Sequence, residues 1–178
     1  MKLSRLDATA YRVHTPRWAH APLSGAGAAR GGGRANRPGV PALYLSLELE
    51  TALAAYRQLS PLMPPGLMVS YILNLGPVVD LCDGVGAGWD PLWQDFYCDW
   101  RALTFDKGVE PPSWVLGDIA MASGAKGILF PSVLVSGVNL VLYTDLLDAS
   151  DRLSVYDPDG GLPRNQRSWE ESRPRPMP

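Results

Sequence analysis

The chain opens on a strand-like alternation, and nothing after it settles into a regular β-α-β repeat. Residues 9–13 (Thr-Ala-Tyr-Arg-Val) alternate with the period of a half-buried strand. Residues 42–46 read as a second strand, 66–75 as a buried strand and 78–81 as a short one. Residues 127–131 and 139–143 read as an antiparallel pair around a turn at Ser136-Gly137. A doubly wound parallel sheet needs strands and helices in steady alternation, so this order points to the α+β class.

Gly 18 and Pro 17 in 178 residues keep the helices short and the loops many. Residues 49–59 carry Leu49, Leu53, Tyr56 and Leu59 at helical spacing, which predicts a helix burying Leu49, Leu53 and Tyr56. Glu48 and Glu50 suit its start, and Pro61 stops it. Residues 91–103 are expected to be helical, with Leu92, Phe96, Trp100 and Leu103 on one side, and Pro111-Pro112-Ser113 to open another helix through Ala122 that ends at Gly124. Residues 20–39 show little periodicity and are expected to lack structure of their own. The predicted organisation is a folded body over 1–156 and a Pro/Arg-rich tail over 157–178, mobile unless a partner holds it.

A hydrophobic fraction of 46% against 19% charged residues supports a buried core, and the length suits one domain. The net charge of -2 argues against a direct nucleic-acid role resting on a basic surface. Apolar runs fall well short of the ~20 residues a membrane helix needs. Met1-Lys2-Leu3-Ser4-Arg5 leads into polar sequence rather than an apolar leader, so a cytoplasmic location is expected. Cys82 and Cys98 fit reduced thiols, and with only His14 and His20 they make no zinc pattern, so no metal is expected. Trp89, Trp93, Trp100 and Trp114 read as core rather than as a cofactor box.

The densest chemical signal is Gly31-Gly32-Gly33-Arg34-Ala35-Asn36-Arg37-Pro38-Gly39, with Tyr44 on the strand that follows. Glycines let backbone approach a ligand closely. Arg34 adds a permanent cation with a planar donor fork, suited to phosphate or carboxylate, and Asn36 adds an acceptor and donors. A flexible turn with a surface Arg accounts for the same residues equally well. The spacing does not fit the Gly-x-x-x-x-Gly-Lys-Ser/Thr phosphate loop. Ser132, after Gly127-Ile-Leu-Phe-Pro131, ends an apolar strand where it can line a cleft or simply cap a turn. It lacks the Gly-x-Ser-x-Gly elbow of a hydrolase nucleophile. Arg17 and Trp18 could wall a ligand, or be an exposed Arg beside a Trp.

Gly-Gly-Arg-x-Asn-x-x-Gly, the Tyr ten residues beyond the Arg, the helix opening Glu-Thr-Ala-Leu-Ala and the late Gly-Ile-Leu-Phe-Pro-Ser strand followed by Asn-Leu-Val-Leu-Tyr resemble the RES domain. That toxin family is paired with Xre-type antitoxins, and within it the chain looks most like the ParT branch. The resemblance runs from about Arg12 to Tyr143. It implies a fold like that of diphtheria-toxin-type ADP-ribosyltransferases, with NAD as substrate in a cleft. It places the family Arg at Arg34, the family Tyr at Tyr44 and the family Ser at Ser132; Asn36, read from the loop itself, is expected beside the substrate with them. The family Glu should follow Ala-Leu-Ala, where this chain has Ala55. Either the Glu has been substituted to disarm the protein, or the departure is natural and another carboxylate serves.

The absent Glu matters chemically. Cleaving the nicotinamide–ribose bond builds oxocarbenium character on the ribose, which a nearby carboxylate stabilises. The resemblance thus implies a toxin that passes ADP-ribose from NAD to a protein or to water, with phosphoribosyl pyrophosphate synthetase as the acceptor implied by the ParT branch. The alternative is a catalytically inactive module that binds NAD or the antitoxin.

Overall fold

The computed structural model describes residues 1–167. Six strands form one mixed sheet: β1 (Leu3–His14), β2 (Ala42–Ser46), β3 (Leu67–Asp80), β4 (Gly127–Pro131), β5 (Val138–Tyr143) and β6 (Arg152–Val155). Their spatial order is β1-β2-β5-β4-β3-β6, and β1 also pairs with β3, so the pairings return to the first strand. The long β1–β3 ladder is antiparallel from Leu3↔Val79 to His14↔Leu67. β3 meets β4 in parallel at Val79↔Ile128 and Asp80↔Leu129; the other pairs are antiparallel.

The central strands are covered on both faces, which explains their nearly continuous apolar runs. Leu43 and Leu45 of β2, Leu129 of β4 and Leu140 and Leu142 of β5 join one core with Leu6, Ala10, Tyr71 and Leu73. The alternate residues Ala42, Ile128, Phe130, Val141 and Tyr143 join a second core with Trp93, Phe96, Leu116 and Ala120. That second core is closed by helix α3 (Pro112–Ala122), which starts one residue into the expected Pro-Pro-Ser opening, with Pro111 as its N-cap, and stops before Gly124 as expected. The expected hairpin of β4 and β5 is present, in register from Gly127↔Leu142 to Pro131↔Val138.

Several local expectations need correction. The Gly-rich stretch contains a short helix, α1 (Ala26–Gly31), whose C-terminal cap is Gly32 at φ 77°. Residues 91–103 do not form one α-helix: Pro91–Tyr97 is a 3-10 segment and Ala102–Asp106 a π-type turn. Asp90 starts the first by accepting from the Leu92 N–H, and Pro91 fixes its entry. Most consequentially, helix α2 (Leu49–Arg57) is rotated from the predicted face: it buries Thr51, Ala52 and Ala54, while Leu49 and Leu53 are 45% and 40% exposed. Small residues let the helix lie close to the sheet, and the large leucines are left outside. β6 was not legible as a strand; it pairs with the middle of β3 at Tyr71↔Val155 to Asn74↔Arg152.

Of the segment expected to be a tail, residues 157–167 are described. Asp157 accepts from the Gly161 and Leu162 N–H groups, and Leu162 packs on the β3-side core. The remainder, 168–178, lies outside the described residues. Among the described residues, no helix is long and apolar enough to cross a membrane.

Candidate functional site

β1 and β2 pair at one position, Tyr11↔Ser46. Where they part, a cleft of about 650 Å³ opens between them, a size within the usual range for small-molecule sites. Arg34, Tyr44, Ala55 and Ser132 all line it, brought from a loop, a strand, a helix and a strand end. Ala52, three residues before Ala55 on the helix, lines it too, as helical spacing predicts; Leu59 also lines it, but from beyond the helix end at Arg57, after Gln58 turns the chain at φ 55°.

The Gly-rich loop is clamped from three sides. Tyr44 Oη accepts from the Ala35 N–H at 3.0 Å and donates to Asn36 Oδ1 at 2.8 Å. The Trp114 indole N–H donates to the Gly33 carbonyl at 2.7 Å, and the Tyr143 hydroxyl to the Ala35 carbonyl at 2.9 Å. A Cβ on Gly33 would collide with the Tyr44 ring and lie 2.6 Å from Asn36 Oδ1, so only glycine fits there. Burial keeps the Tyr44 hydroxyl neutral, its pKa raised far above the ordinary phenol value even though the Ala35 N–H and the charges of Arg34, Arg12 and Arg101 pull the other way.

Asn36 does not line the cleft. It is 1% exposed, and its amide donates to the carbonyls of Ala28, Arg37 and Val40. The residue expected beside the substrate therefore holds the loop and the Tyr44 hydroxyl from behind.

Arg34 Nη1 donates to the carbonyls of Phe96 and Cys98 at 3.1 and 3.2 Å, which fixes the fork. The guanidinium also lies 5.8 Å from the Tyr97 ring centroid. Burial lowers its pKa from the ordinary Arg value, but a guanidinium stays charged in protein. Ser132 closes its turn by donating its N–H to the Gly137 carbonyl at 2.8 Å, while its Oγ accepts from the Leu134 N–H at 3.2 Å. The hydroxyl proton remains to be donated.

Two arginines not singled out from the sequence share the cleft. Arg12, on β1, reaches across the parted strands and donates from Nη1 to the Tyr44 carbonyl at 3.0 Å. Its signal was present: Leu6, Ala8, Ala10, Arg12 and His14 fall on one face of β1, so a cation continues an inward-facing apolar row. Arg101 stacks on Trp100, 4.5 Å from the ring centroid. Among the described residues, none of Arg12, Arg34 and Arg101 forms an ion pair with a carboxylate, and Asp99 is the one acid lining the cleft. Two half-buried guanidiniums, Arg12 and Arg34, and an exposed one, Arg101, outnumber the single acid, which is chemistry for a polyanion.

Other expected positions lie elsewhere. Arg17 and Trp18 do not line the cleft; Arg17 sits 5.2 Å over the Trp18 ring, and Trp18 is half exposed. Glu50 does not line it either, and Glu48 turns to the loop after Ser132. Trp93, Trp100 and Trp114 are buried, though Trp100 also forms cleft wall.

No curated protein matches the sequence. Among solved structures, the chain is similar to the M. tuberculosis MbcT–MbcA toxin–antitoxin complex, at 22% identity and a TM-score of 0.58 over 95% of this chain and 90% of that one. That likeness is one of fold. The RES domain model matches residues 9–165, which runs from the second half of β1 through β6 and takes in every residue of the cleft, and on that match the chain belongs to the RES domain family.

Proposed function

We propose that this chain is the toxin of a toxin–antitoxin pair, and that its cleft binds NAD and cleaves the nicotinamide–ribose bond. The observation that carries the reading is the convergence of Arg34, Tyr44, Ser132 and Ala55 on one cleft, in a chain matched by the RES domain model over 9–165. Arg34 and Arg12 would hold the pyrophosphate, with Gly33 letting the backbone come close. Tyr44 would stack on the nicotinamide ring, and the Ser132 hydroxyl would donate to the ribose or amide. The frame is that of an ADP-ribosyltransferase. ADP-ribose passes to a protein, phosphoribosyl pyrophosphate synthetase being the acceptor the ParT resemblance suggests, or to water. An Xre-type antitoxin in the same cytoplasm would silence the protein by covering the cleft, as the toxin–antitoxin neighbour encourages.

Ala55 favours a second reading, an inactive module that binds NAD or the antitoxin. Nicotinamide release from NAD by the natural chain and by Ala55→Glu separates the two. A gain on the order of 10²-fold in the variant supports the enzyme frame, because one electrostatic group at a developing charge is worth about that much. Bound NAD with no nicotinamide release by either chain supports the binding module.

A further inference from the structure

We propose that Asp99 supplies the carboxylate that the family reaction needs and that Ala55 cannot give. The inference rests on the NAD-cleaving reading of the cleft. Among the described residues that line the cleft, Asp99 alone carries an acid. The nearby alternatives are spent or misplaced. Glu48 Oε2 already accepts from the Val138 N–H at 2.9 Å and the Thr51 hydroxyl at 3.0 Å, and Glu50 lies outside the lining, whereas Asp99, itself exposed to solvent, is within it.

Asp99 is held between two fixed neighbours. Arg34 anchors the chain one residue before it through the Cys98 carbonyl, and the indole of Trp100, one residue after it, is buried. Asp99 Oδ1 accepts from the Ala102 N–H at 3.0 Å, which sets the rotamer and leaves Oδ2 for a ligand. The same guanidinium therefore fixes both the substrate's phosphates and the strand of backbone that carries the acid. In the step, the bond from ribose C1′ to the nicotinamide nitrogen breaks and its electron pair leaves on that nitrogen, so neutral nicotinamide departs. The Asp99 carboxylate stabilises the cationic ribose; water then adds to C1′ and gives its proton to Asp99.

Asp99→Asn tests this cleanly, because the amide oxygen can keep the Ala102 bond while the charge is lost. Nicotinamide release and NAD affinity by calorimetry are measured on the full chain, in the natural and the Ala55→Glu backgrounds. The expected result is a fall of at least about tenfold in nicotinamide release with NAD affinity held within about threefold. In the Ala55→Glu background the same change should cost little, since a second carboxylate then serves. Unchanged release in Asp99→Asn, or NAD bound by the natural chain without any release, overturns the role of Asp99 and leaves NAD binding standing. No NAD binding by the natural chain instead overturns the reading of the cleft, and Asp99's role with it.

Discussion

Glu48 Oε2 accepts from the Val138 N–H at 2.9 Å, tying the start of α2 to the loop that carries Ser132. Thr51 donates to the same oxygen at 3.0 Å, and the Ser132 N–H donates to the Gly137 carbonyl at 2.8 Å. A Cβ on Gly137 would collide with Thr51 Oγ1, so the loop lies directly against the helix. Glu48→Ala should release this contact and cost about 1.5–3 kcal/mol, the range for a hydrogen bond to a charged group. Chemical denaturation measures the loss, and amide exchange should show Val138 opening at least about tenfold faster than in the natural chain. Unchanged exchange at Val138 would remove Glu48 as the tie.

Gly33→Ala probes the clamp on the Gly-rich loop. The new methyl must push Tyr44 or Asn36 aside, and both are hydrogen-bonded to each other. Packed sites respond to such overfilling with about 1–3 kcal/mol of destabilisation. A thermal melt checks the stability, and loss of NAD binding at a temperature where the variant is folded checks the site. A variant as stable as the natural chain would mean that the loop can yield.

Acid should weaken the fold through His14. Burial, and then the charge of Arg12, lower its pKa from 6.5 to about 4. Its Nε2 lies 2.6 Å from the Tyr71 hydroxyl, which itself donates to the Pro22 carbonyl, so the ring nitrogen is the donor of that pair. In the unfolded chain the ring takes up its proton near pH 6.5, whereas the folded chain resists until about pH 4. The stabilisation is therefore present above about pH 6.5 and is lost as pH falls through about 4. Stability measured from pH 7 to 4 should show this slope, and His14→Gln, which keeps a donor, should flatten it. The same slope in the variant would assign it to other groups.

Much of the sheet was legible because β2, β4 and β5 are short apolar runs between clear turn residues, and α3 has a Pro-Pro-Ser start and a Gly stop. The rotation of α2 was not, because Leu49, Leu53 and Tyr56 satisfy helical spacing while small Ala52 and Ala54 do the packing. Spacing reports a face; it does not say which face a nearby sheet can approach. For the cleft, Arg34, Tyr44, Ala55 and Ser132 came from the family pattern, and the structure lines one cleft with all four. Asn36 fits the same motif but is saturated by backbone carbonyls, a fact set by the loop's fold rather than by its composition. Arg12 and Asp99 depend on how β1 and residues 96–101 come together across long stretches of chain, which local sequence does not encode.

If Arg34 holds the phosphates of a dinucleotide in this cleft, calorimetric titration of NAD into the natural chain, Arg34→Ala and Arg34→Lys will read the contact as a difference in affinity. A charge-assisted partner of this kind is worth about 1.5–3 kcal/mol, or roughly 10- to 150-fold in affinity. The expected result is one-site binding by the natural chain, a loss of that size in Arg34→Ala, and only partial recovery in Arg34→Lys, whose ammonium cannot reproduce the fork. Equal NAD affinity in the natural chain and a folded Arg34→Ala, or no binding by the natural chain, would contradict it.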